Sequence, residues 1–224
     1  MFRRALLTTI IVLGQLLSKA DEGMWLPTLL ETINADAMYS KGLKIPIDSL
    51  FSLNSSSIKD AIVQFGGGCT GEIIGKNGLL LTNYHCGYSQ VVQHSSVKDN
   101  YLTNGFWAMN INEELSCTGL TATFIVRMED VTASILPFVN DSLKEIEKAA
   151  QIKELSQVLV QKAIQGTHYN AEVKPFYYGN KYFLIVTEIF KDVRLVGAPP
   201  SSIGKFADET DNWMWPRQTG DFAL

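Results

Sequence analysis

Gly78-Leu79-Leu80-Leu81-Thr82-Asn83-Tyr84-His85-Cys86-Gly87 is the stretch on which the reading of this chain turns. An apolar run suited to a strand ends on a histidine, a cysteine follows at once, and a second cysteine, Cys69, lies one hairpin upstream. A rigid strand end with a covalent tether can fix an imidazole in one orientation. That is what a general base facing a hydroxyl nucleophile requires, so the pattern reads as the base of a serine-type hydrolase beside a structural disulfide. For His85 alone, a core histidine next to a buried thiol is the plainer reading, and the surrounding sequence has to decide between them.

Cys69-Thr70-Gly71-Glu72-Ile73-Ile74 and Leu79-Leu80-Leu81-Thr82 predict the two arms of a hairpin turning at Gly75-Lys76-Asn77-Gly78, because Asn-Gly suits a tight turn that needs positive φ. Such a hairpin brings Cys69 and Cys86 back toward each other, and a bridge between them would clamp the loop carrying His85. Cys117 is left over, either free and buried or paired with a cysteine outside this chain. A zinc site drawn from His85, Cys86, His94 and Cys69 is the competing account, but the spacing fits no compact structural zinc site.

The first twenty residues differ in kind from the rest. Arg3-Arg4, an apolar run from Ala5 to Gly14 and the small residues of Ser18-Lys19-Ala20 make a secretory signal over residues 1–20, with cleavage before Asp21. The competing reading, an uncleaved anchor, is disfavoured by the short apolar run and the lack of a stop-transfer flank. Export implies an oxidising compartment, the periplasm or the cell surface, where a disulfide persists. The chain is 46% hydrophobic and 19% charged, which suits one globular core. A net charge of -4 with dispersed charges argues against nucleic acid or an anionic membrane as partner.

Periodicity predicts a helix around Leu26, Leu29, Leu30 and Ile33, and a short helix capped by Ser57 that contains Ala61 and Ile62. A strand is expected over 121–127 and a long helix over 141–164, with Leu143, Ile146, Ala150, Leu155 and Leu159 on its inner side. Residues 171–178 and 182–190 should pair as strands around Gly179-Asn180. Gly66-Gly67-Gly68-Cys69-Thr70-Gly71 satisfies a dinucleotide-binding spelling, but a strand and turn follow it, so no helix N-terminus can receive a pyrophosphate. The loop Gly197 to Lys205 fails as a phosphate loop on its spacing.

Longer blocks carry a family resemblance. They are Asp21-Glu22-Gly23-Met24-Trp25-Leu26-Pro27, Ser57-Ile58-Lys59-Asp60-Ala61-Ile62-Val63, Cys69-Thr70-Gly71-Glu72, His94-Ser95-Ser96-Val97 and Tyr101-Leu102-Thr103-Asn104-Gly105-Phe106-Trp107-Ala108-Met109. Gly166-Thr167-His168-Tyr169-Asn170-Ala171 follows, then the run from Phe190 to Phe206 and Asp211-Asn212-Trp213-Met214-Trp215-Pro216-Arg217-Gln218-Thr219-Gly220-Asp221-Phe222. In this order they resemble the S46 family of bacterial serine dipeptidyl peptidases, of the dipeptidyl peptidase 7 and 11 type, leaning toward the branch that prefers apolar residues at the second position.

The resemblance implies a mainly β fold with helices, residues 21–224 forming the incomplete N-terminal part of a peptidase domain and most of the first β-barrel of a chymotrypsin-like double barrel. It implies a secreted enzyme that releases dipeptides from the free N-termini of peptides, without cofactor or metal, as a homodimer when complete. His85 matches the family's catalytic histidine and Asp221 its catalytic aspartate, while Asn212 and Trp213 match residues that hold the substrate's amino terminus. Tyr84 and Gln218 stand where neighbouring histidines are common in the family. The family's serine lies in a Gly-rich segment far toward the C-terminus, and no Gly-Asp-Ser-Gly or Gly-Asn-Ser-Gly occurs here, so the isolated chain is expected to be inert. The alternative is a noncatalytic peptide-binding or remnant protein.

Overall fold

The computed structural model describes residues 25–53, 55–140, 142–204 and 220–224. The proposed signal, Asn212, Trp213 and Gln218 lie outside these residues. The chain divides into two units, one ending at Ile47 and the other starting at Asp48. In the first, the expected helical segment is present from Pro27 to Ser40, as a 3₁₀ turn (Pro27–Leu29), a π turn (Leu30–Asn34) and an α-helix (Ala35–Ser40). Pro27 opens it, at the position where a missing N–H removes no helical bond.

The second unit is built on a six-stranded antiparallel sheet. Its strands are β1 (Ile62–Phe65), β2 (Cys69–Ile73), β3 (Leu80–Thr82), β6 (Ala122–Asp130), β7 (Asn170–Phe176) and β8 (Lys181–Phe190), in the order β3-β2-β1-β6-β8-β7. Two-stranded ladders join β4 (Phe106–Trp107) to β10 (Gly197–Ala198) and β5 (Leu115–Ser116) to β9 (Arg194–Leu195). The six-stranded sheet is open, with β3 and β7 at its edges, and no closed barrel is seen among the described residues. The architecture is a mixture of helices and antiparallel sheets.

The expected hairpin is β2–β3, in the register Gly71↔Thr82, Glu72↔Leu81 and Ile73↔Leu80. Gly78 takes the positive φ of 79° that its turn needs. The strand expected over 121–127 extends to Asp130, and β7 pairs with β8 as anticipated. Their turn differs: Tyr177 and Tyr178 both take left-handed backbone ahead of Gly179, a conformation that disfavours bulky side chains. Around Ser57 the helix is a single 3₁₀ turn, Ile58–Ala61, with the Asp60 carboxylate accepting the Ser57 N–H at 2.9 Å, and Ile62 already belongs to β1.

The long helix runs Glu145–Ile164. It packs Ile152, Leu155, Leu159, Val160 and Ala163 onto a core formed by Val131, Ile135, Tyr182, Leu184 and Val186. Ile146, expected to face inward, is 85% exposed. It lies six residues before Ile152, about 240° around the helix from it, and so falls on the outer face. A second core joins Tyr84, Val91, Cys117, Leu195 and Ala198, and lies directly under the stretch that carries His85.

Candidate active site

β3 ends at Thr82, and the chain then turns into a helix, Tyr84–His94, that the sequence reading did not anticipate. His85 and Cys86 therefore sit in the first helical turn rather than at the strand end itself. Tyr84 is fully buried, its hydroxyl 2.7 Å from the Ser201 hydroxyl, and its ring lies against Gly204. A buried tyrosine at the first position of the turn anchors it inward, so the next side chain, His85, projects outward and is 58% exposed.

Asp221 reaches this turn from the other end of the chain. Its segment is held by a main-chain ladder in which Thr82 and Ala223 exchange hydrogen bonds of 2.9 and 2.8 Å. Leu224 pairs with Gly197 in turn, its N–H donating to the Gly197 carbonyl at 2.8 Å. Thus Oδ2 of Asp221 lies 2.9 Å from His85 Nδ1, and Oδ1 accepts the His85 main-chain N–H at 3.1 Å. The Asn83 amide donates to the Asp221 carbonyl at 3.2 Å and to Oδ2 at 3.3 Å. The Asp221 side chain is only 11% exposed. An ionised carboxylate can only accept, so Nδ1 carries the proton in this contact and Nε2 keeps the lone pair that can take a proton from a hydroxyl.

Cys69 and Cys86 are joined in a disulfide, with Cα atoms 6.1 Å apart. Cys69 opens β2, so the bridge ties the His85 turn to the β1–β2 hairpin. A ring nitrogen of His85 and the two sulfurs lie within 4.8 Å of one another, but the sulfurs are bonded to each other and neither is a thiolate ligand. Cys117 is free and buried, and burial pushes its thiol pKa up, away from reactivity.

The structure thus brings together His85, Asp221, Cys69 and Cys86, and leaves Asn212 and Trp213 outside the described residues. Sequence reasoning missed the bridging role of Asn83 and the anchoring role of Tyr84. Position gave a hint to both, since they are the two residues between the strand and the histidine.

A histidine held by a recessed carboxylate, with its second nitrogen open, has the geometry needed to take a proton from a hydroxyl and return it. The profile of the Peptidase S46 family matches residues 20–224, and the chain belongs to that family. It is 51% identical over 202 residues to the Asp/Glu-specific dipeptidyl-peptidase of Capnocytophaga gingivalis, covering 90% of this chain and 28% of that protein. It is 46% identical to the dipeptidyl-peptidase 7 of Phocaeicola vulgatus, covering 99% of this chain and 32% of the relative. The crystal structure of Porphyromonas endodontalis DPP11 in complex with the dipeptide Arg-Glu superposes with a TM-score of 0.78 at 42% identity, covering 91% of this chain and 31% of that one. The chain therefore spans about three tenths of the length of the relatives it matches. The lean toward the apolar-preferring branch is not reproduced, since an Asp/Glu-specific relative matches at 51% and the type 7 relative at 46%.

Proposed function

We propose that these residues are the N-terminal part of the catalytic domain of an exported serine-type dipeptidyl aminopeptidase. The observation that carries this reading is the His85–Asp221 pairing across 136 residues, made with both the ring and the main chain of the histidine. His85 takes the proton of a serine hydroxyl as it attacks the second peptide bond from a free amino terminus, then gives it to the leaving amine. Asp221 fixes the tautomer and stabilises the imidazolium between the two steps. Asn212 and Trp213 hold the substrate's amino terminus. Relatives crystallised with dipeptides, Arg-Glu and Arg-Asp, support a dipeptide-sized product.

The nucleophile and its oxyanion donors come from sequence outside these 224 residues, because no serine here stands in a Gly-Asp-Ser-Gly or Gly-Asn-Ser-Gly setting. The strands supply most of the first barrel of a double-barrel domain. In support, Ala223 and Leu224 link β3 to β10, and β10 continues the chain of β8 through β9, so main-chain pairing runs from β8 through β6, β1, β2 and β3 back toward that same run of chain. Residues 1–20 direct export and are removed, and N-terminal sequencing of the mature protein should begin at Asp21.

The full-length protein should release a chromogenic group from a dipeptidyl anilide and lose that activity when the amino terminus is acetylated. Residues 21–224 alone should neither do so nor react with a fluorophosphonate probe. Stoichiometric labelling of this fragment would show that the nucleophile lies within it. Acetylation-sensitive peptide binding without turnover by the full-length protein would favour the noncatalytic reading.

A further inference from the structure

We propose that Asn83 is a positioning residue for the Asp221 carboxylate, and that its side-chain NH₂ group, rather than its aptitude as a helix cap, is the reason for an asparagine at this place. This rests on the reading of His85 as the acid–base group. Asn83 is the N-cap of the helix Tyr84–His94, with extended backbone at φ -75° and ψ 148°. Asparagine is favoured at such a position because its side-chain oxygen can accept the N–H of the second or third helical residue. Here the side chain makes no cap bond. The second helical residue is His85, and its N–H goes to Oδ1 of Asp221 at 3.1 Å. The carboxylate thus caps the helix from 136 residues away, and Asn83 turns its NH₂ group toward it.

The Asn83 amide donates to two oxygens of one residue, the Asp221 carbonyl at 3.2 Å and Oδ2 at 3.3 Å. It thereby ties the carboxylate to the main chain of Asp221 itself. The two contacts with His85 set the carboxylate against the histidine, but neither sets it against its own backbone. Oδ2 is also the oxygen that pairs with His85 Nδ1, so Asn83 holds the acceptor that fixes the tautomer. That acceptor has to stay in place while the ring gains a proton from the nucleophile and passes it to the leaving amine. With the ring and main-chain N–H groups of His85, Asn83 gives the carboxylate, only 11% exposed, a third donor for its lone pairs.

Asn83→Asp and Asn83→Ala separate the two roles. Aspartate caps a helix as well as asparagine does, but it offers Asp221 only oxygens and sets two carboxylates against each other. Alanine removes the donor without adding a charge. The full-length protein is assayed on a dipeptidyl anilide, well below the melting temperature of each variant. Asn83→Ala should lower kcat about tenfold, the scale of one lost hydrogen bond to a charged group, and Asn83→Asp about a hundredfold, with KM within about twofold in both. A capping role reverses that order, making alanine the damaging change and aspartate the harmless one. Wild-type kcat in Asn83→Asp would therefore overturn the inference while leaving the base assignment standing, and so would a loss confined to KM, which places Asn83 in substrate binding. Full activity of His85→Ala would instead remove the reading on which the inference rests.

Discussion

Asp221 grips His85 at two points, Oδ2 with the ring Nδ1 at 2.9 Å and Oδ1 with the main-chain N–H at 3.1 Å. One carboxylate thus references the imidazole to the backbone that carries it. The Thr82–Ala223 ladder fixes the carboxylate to the strand from which that backbone emerges, and the disulfide fixes the same turn to the β1–β2 hairpin.

Asp221→Asn should therefore abolish most activity while leaving the fold intact. An amide has one acceptor oxygen where the carboxylate has two, so one of the two His85 donors would face an NH₂ group. In the full-length enzyme kcat should fall by on the order of 10⁴ with KM little changed, the signature of a wrongly held tautomer. A loss confined to KM would place Asp221 in substrate binding.

Replacing Cys69 and Cys86 together by serine should lower the unfolding free energy by ~3 kcal/mol, the scale expected from the loop-closure argument for a bridge of this span. The two residues are 17 apart in sequence. Denaturant midpoints of the two proteins, measured without reductant, check this, and peptide mapping of the unreduced wild type should recover the cross-linked pair. Free thiols at both positions would refute the bridge.

The hairpin, with Cys69 at its start and Cys86 just past its end, was legible because it rests on local chemistry, two strand-forming runs closed by Asn77-Gly78. The strands Ala122–Asp130, Asn170–Phe176 and Lys181–Phe190 were legible from their local content of β-branched and aromatic residues. The helix starting at Tyr84 was not: its first turn, Tyr84-His85-Cys86-Gly87, lacks helix-favouring residues and is held by Tyr84 in a tertiary pocket, by the disulfide and by Asp221. Ile146 was misplaced because it was grouped with Leu155, nine residues on in the same helix and so about 180° around it. The partnership of His85 with Asp221 was legible only through family likeness, since no periodicity links residues 136 apart.

Acid sensitivity should be traceable to Asp130 at the end of β6. Thr132, through its hydroxyl at 2.5 Å, and Lys181, at 2.9 Å, hold its carboxyl at about 2, below the usual 3.8. A carboxyl depressed on folding contributes stability above its unfolded value and loses it as pH falls through the folded one. Asp130→Asn should therefore flatten the decline of stability between roughly pH 4 and pH 2, without a matching change in slope at neutral pH, in denaturant titrations across that range. A parallel decline in wild type and variant would assign the acid loss to other carboxylates.

Gly204→Ala should damage both stability and catalysis through Tyr84. A Cβ at Gly204 would stand 2.7, 2.8 and 2.9 Å from three ring atoms of Tyr84, closer than carbon atoms pack. The ring is fully buried and its hydroxyl is held at Ser201, so it has no easy retreat. Overpacking of this kind costs about 1–3 kcal/mol. Because Tyr84 precedes His85 in the same helical turn, its displacement moves the imidazole relative to Asp221, so kcat of the full-length enzyme should fall even at temperatures well below the melting point. Tyr84→Phe provides the contrast, since it loses the Ser201 contact, about 1 kcal/mol, but keeps the ring in its seat and should leave kcat nearly unchanged. If Gly204→Ala melts lower yet turns over at the wild-type rate, the Tyr84 seat supports the fold without setting the position of His85.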